Sequence, residues 1–152
     1  MTDQSTNLID PSETTRYALG LGLGWLAAAA FAVVYALSAE LLQLSFGLPI
    51  VALIGGWIIG SAVAYGGWGE LEHVAHRGLR LGAVSLAVEG WLLAMILAYI
   101  LSQAFIPQAS TPLTDRLTLD GFFAYFQGLD YALFLHLLAL PLVAVMAWRA
   151  AR

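Results

Sequence analysis

Four long apolar blocks fill most of the chain, at residues 17–38, 49–68, 82–104 and 129–149, with short polar interruptions between them. None shows the polar–apolar alternation of a half-buried strand, and a helix of about 20 apolar residues crosses the hydrocarbon layer of a bilayer. The pattern predicts an all-α, polytopic membrane protein, a bundle of four transmembrane helices with short interfacial helices. Residues 1–16 are polar and mildly acidic. They read as a flexible cytoplasmic tail rather than a secretory leader, which would open with basic residues ahead of a short apolar run. Inside this tail Asp10-Pro11-Ser12-Glu13 has the form of a helix start, so the first span begins as helix before it enters the bilayer.

The links add detail. The first, Ala39 to Leu48, ends in Gly47 and Pro49, a stop and restart that makes the first two spans antiparallel neighbours. The second, Gly69 to Leu81, gathers Glu70, His73, His76, Arg77 and Arg80 on one side at helical spacing and reads as an interfacial helix running into the third span. The third, Gln103 to Gly128, is broken by Pro107, Pro112 and Asp120-Gly121, and its aromatic run Phe122 to Phe126 suits the headgroup boundary.

Composition narrows the class further. At 61% hydrophobic and 11% charged, the chain lies outside the soluble range of roughly half and a quarter. With no cysteine, disulfides and thiolate metal sites are excluded. The net charge of −4 comes with no basic patch, so nucleic acid is not an expected partner. Arginine placement gives an orientation. Four spans put Arg16, Arg77, Arg80, Arg149 and Arg152 on one side and Arg116 on the other, so both termini are expected in the cytoplasm.

Two spans carry small residues at four-residue spacing: Gly20, Gly24 and Ala28 in the first, Gly56, Gly60 and Ala64 in the second. Such rows let backbones approach closely. They are expected to hold the first hairpin together; docking of a second copy or a different protein is the alternative.

Candidate chemistry is sparse. Glu89 lies about seven residues into the third span, on a stripe with Gly78, Gly82 and Ser85, and these small neighbours imply a face that meets protein. An ionisable group among lipid tails costs about 2.5–3.5 kcal/mol on insertion scales, so Glu89 and Ser85 are candidates for a proton or ion site. His136, in the fourth span, is a third candidate, and as an alternative it is a hydrogen-bonded packing residue. Pro141 follows it and should bend the helix, because it offers no N–H to Leu137. Glu89 and His136 differ in depth by roughly 8–10 Å, which argues against a direct pair.

Other sites fare less well. Haem would need two axial ligands around one iron, and His73 and His76 lie far in depth from His136; neither haem nor a chlorin is expected as cofactor. Glu70, His73 and His76 have a spacing found in carboxylate-bridged metal sites, yet a solvated interfacial face accounts for them better. For an enzyme, Ser61 and Ser85 lack a base at matching depth, and no phosphate loop or zinc-protease spacing is present.

The run Gly55 to Ala64, the glycines at 66, 67 and 69, the basic-to-apolar stretch from Arg77 to Tyr99 and the ending Ala147-Trp148-Arg149 resemble small four-span bacterial proteins of unknown function. The resemblance covers about the second half of the chain and implies a bacterial inner-membrane setting without an activity. Their turn carries more glycine and arginine than Glu70 to His76 does here. The sequence as a whole points to a non-enzymatic bundle, forming a homo-oligomer or serving as an accessory subunit of a larger membrane complex. The alternative is a small proton- or cation-coupled carrier or channel using Glu89, with the Pro141 bend as a moving part.

Overall fold

The computed structural model describes residues 11–67, 73–106 and 112–152, with backbone only for 11–13 and 73–76. Most of the expected tail, with the Asp10 cap, lies outside them. The described chain is helical: α1 (Pro11–Glu40), α2 (Leu48–Gly67), α3 (His73–Ala104), α4 (Leu113–Arg116), α5 (Leu119–Gly128) and α6 (Tyr131–Ala150), with a 3-10 turn at Ser45–Gly47 before α2. Four segments are long and apolar enough to cross a membrane: Thr14–Glu40, Ser45–Gly67, Arg77–Ala104 and Tyr131–Ala150. This is an all-α, multi-pass membrane protein.

The helix expected to run into the third span forms one element with it: α3 is continuous from His73, with no proline inside it. One boundary shifts. The fourth span starts at Tyr131 rather than 129, because Asp130 takes a left-handed backbone (φ 44°) that separates α5 from α6.

Around the bundle, α1 packs on α2 and α3, and α6 packs on the same two helices from the opposite corner. Ala32, Ala52, Ala83, Ala87, Ala139 and Ala147 are fully buried, so the contact faces are built from methyl groups. Some contacts exclude even those. A Cβ on Gly20 would lie 2.7 Å from the Val63 carbonyl oxygen, and one on Gly24 would lie 2.3 Å from Val63 Cγ2. The first row thus packs against α2. The second row departs from the expected hairpin role, because Gly56 and Gly60 face α6. A Cβ there would come within 2.3 Å of the Val143 oxygen and 2.4 Å of the Ala147 oxygen. Toward α1, α2 uses Gly55 against the Phe31 ring and Gly66 against the Gly20 backbone. Ala28 meets Gly90 of α3, and Ala64 is half-buried.

The two ends differ in charge. At one, Arg80 Nε donates to the Ala151 carbonyl (3.4 Å) and its guanidinium lies 5.7 Å from the centre of the Trp148 ring, a cation at the carbonyl end of α6. At the other, α5 is an amphipathic helix capped by Thr118, whose hydroxyl accepts from Gly121 N (3.0 Å). Its rings Phe122 and Tyr125 pack on Tyr99 of α3 at 5.5 and 5.8 Å.

Gly56→Ala should destabilise the bundle by about 1–3 kcal/mol, as the added methyl meets a carbonyl. Gly22→Ala, with nothing within 4 Å of the new Cβ, should be neutral or slightly stabilising. Unfolding in mixed micelles compares the two directly.

Candidate functional site

One buried polar cluster joins three helices. The Tyr35 hydroxyl of α1 and His136 Nδ1 of α6 are 3.0 Å apart in a buried hydrogen bond, with ring centres 5.6 Å apart. Trp91 of α3 donates its indole N–H to the His136 backbone carbonyl at 3.1 Å. Tyr35 is 0% and His136 2% exposed. This group joins α1 to α6 across the diagonal of the bundle and brings α3 into the same cluster. In oil, each of these polar tips would otherwise be left without a partner.

Glu89 and Ser85 lie elsewhere. Both side chains are exposed on the outer face of α3, so this part of the stripe meets no other described residue closely enough to be covered. The reason is the path of the buried face. Leu79, Ala83, Ala87, Trp91, Met95 and Tyr99 are all buried, in steps of four residues. A four-residue row turns about 40° around the helix at each step, so the buried face swings away from the stripe as α3 proceeds. Gly78 and Gly82 still lie beside Tyr17 and Leu21 of α1. Ser85 and Glu89, one and two turns on, do not share that cover.

Pro141 lies within α6, which runs as one helix from Tyr131 to Ala150. Of the metal candidates, Glu70 and the side chains of His73 and His76 lie outside the described residues. Among the described residues, no group of three or more His, Asp or Glu side chains could hold a metal ion.

The end of the bundle that carries α4 and α5 holds a second polar cluster that sequence reasoning missed. The Tyr99 hydroxyl donates to the carbonyl of Arg116 (2.9 Å) and lies 3.2 Å from that of Thr118, while Thr118 N donates to it (3.3 Å). The α4–α5 connection is thereby pinned to the end of α3. Tyr125 of α5 donates to the Glu40 carboxylate at 2.5 Å, tying α5 to the end of α1. Burial, followed by this bond and the charge of Glu40, pushes the Tyr125 phenol above its ordinary value. No pattern in the sequence marked Tyr35 or Trp91 as partners of His136. Nothing in the sequence announced the Glu40–Tyr125 bond, which joins residues 85 positions apart.

Searches for relatives add no further constraint: no family model, curated protein or solved structure matches the chain.

Tyr35→Phe should cost about 0.5–2 kcal/mol in detergent unfolding, since it strips His136 of its side-chain partner within the bundle. Tyr65→Phe, on the exposed surface, should leave stability unchanged. Because Tyr125 is raised in the folded state, its contribution is complete below the ordinary tyrosine value of about 10 and is lost as pH climbs through the higher folded value. The melting temperature should therefore fall above about pH 10, and less steeply in Tyr125→Phe.

Proposed function

We propose that this chain is a non-enzymatic membrane protein that works by association: its outer surface docks another polypeptide within the bilayer, as a self-associating bundle or an accessory subunit of a larger complex. The observation that carries this reading is the position of Glu89, exposed on the outside of α3 and well inside a span. A carboxyl left facing lipid tails is costly, and such residues almost always face protein or a water-filled cavity. Among the described residues of one copy none covers it, so a neighbour supplies the cover.

A carrier using Glu89 would need that side chain on a path through the molecule. In a single copy the carboxyl sits on the outside, and any such path would run between molecules. His136 is already engaged by Tyr35 and serves packing in this reading.

The arginine distribution supports cytoplasmic termini, and the resemblance of the second half of the chain supports a bacterial inner membrane. Arg80 at the start of α3 meets the end of α6, so Arg80 and Arg149 lie at one end of the bundle.

A photo-reactive residue at Leu93, beside Glu89, should yield a protein adduct in intact membranes, and Glu89→Leu should reduce it several-fold. Adducts to lipid alone, together with proton flux in liposomes that Glu89→Gln abolishes, would overturn association in favour of transport.

A further inference from the structure

We infer that the cover of the α3 outer face is a second copy of this chain, the two α3 helices packing in parallel along Ser85, Glu89, Leu92 and Ile96. The inference rests on the association reading above and specifies its partner.

These positions are spaced by four, three and four residues. Alternating steps of three and four residues are those of a two-helix seam, in which the side chains of one helix enter holes of the other. All four side chains are exposed, Leu92 at 50% and Ile96 at 46%, so the seam is open along three turns. The helix thus presents one face, with Ala83, Ala87, Trp91 and Met95, to its own bundle and another outward.

The chemistry of the seam is self-complementary. A partner of opposite charge would have to bring a cation into the membrane, and every arginine in the described spans lies at a span end. A second copy brings Ser85 and Glu89. Each serine hydroxyl can both donate and accept, so the Glu89 carboxyl of one copy finds a donor in Ser85 of the other. Around a two-fold axis, Glu89 of one copy faces the same residue or Ser85 of the other. Leu92 and Ile96 then supply the apolar part of the contact. A single polar residue in an otherwise apolar seam fixes register, because any slip leaves it facing an apolar side chain. Copies inserted by the same topology signal point the same way, which makes the pair parallel.

The absence of cysteine makes the test direct. Leu92→Cys in native membranes, oxidised with copper–phenanthroline, should give a disulfide-linked dimer. Leu23→Cys and Val145→Cys, exposed on α1 and α6, should give at least fivefold less. Adding Glu89→Leu to Leu92→Cys should cut the dimer at least fivefold, whereas Glu89→Gln, which keeps a donor and an acceptor, should retain it. Dimer from Leu92→Cys no greater than from Leu23→Cys would overturn the inference, as would cross-linking that Glu89→Leu leaves unchanged. Photo-adducts from position 93 to a different polypeptide, without the Leu92→Cys dimer, would overturn the self-pairing and leave the association reading standing. Absence of both would remove both.

Discussion

The bundle depends on α2 being clamped between two backbones. Gly20 of α1 on one side, and the Val143 and Ala147 carbonyls of α6 on the other, approach it so closely that an added methyl would overlap carbonyl oxygen. In a bilayer no hydrophobic force drives helices together, because the lipid tails are as apolar as the side chains. Attraction comes from the number of atoms brought to contact distance. Small residues achieve this by removing what stands between helices, hence the fully buried alanines and the glycine contacts. With α1 and α6 held on either side of α2, α3 fills the remaining corner, and Tyr35 and His136 meet across the diagonal.

The broad architecture was legible because the lengths of apolar segments carry it. What each helix face touches was not. A row of small residues marks a face that packs closely but does not name the neighbour; Gly56 and Gly60 could have served α1, and they serve α6. Glu89 shows the same gap from another side. Its stripe of small residues correctly marked contact near Gly78 and Gly82, where α1 passes. The buried ridge of α3 advances by four residues at a time, and this slow rotation turns Glu89 outward. Helical spacing alone gives no measure of it. His136 was visible as a lone polar residue, whereas no pattern in the sequence marked its partners. The tie between Glu40 and Tyr125 joins residues too distant in sequence for any local pattern to report.

The polar groups inside this molecule therefore divide by whether their needs are met at home. Tyr35, His136 and Trp91 satisfy one another among packed rings and methyl groups, an arrangement that gives three helices a fixed mutual register. Tyr99 and Tyr125 do the same at the end of the bundle that carries α4 and α5, where they fasten α5 to the ends of α3 and α1. Glu89 stands apart from both groups. Its side chain is costly to leave in oil, and no described residue of its own chain covers it.

The helices also differ in length. α1 and α3, with 30 and 32 residues, extend roughly 45–48 Å, while α2, with 20, extends roughly 30 Å. Long helices fit membranes of several thicknesses by leaning. The short central post cannot lean freely, since glycine contacts lock it to its neighbours on two sides. A thicker bilayer must then pinch inward around the post, at a cost that grows with each ångström of mismatch. α2 and α6, with 20 residues each, thus set the apolar thickness that the bundle matches without distorting the lipid around it.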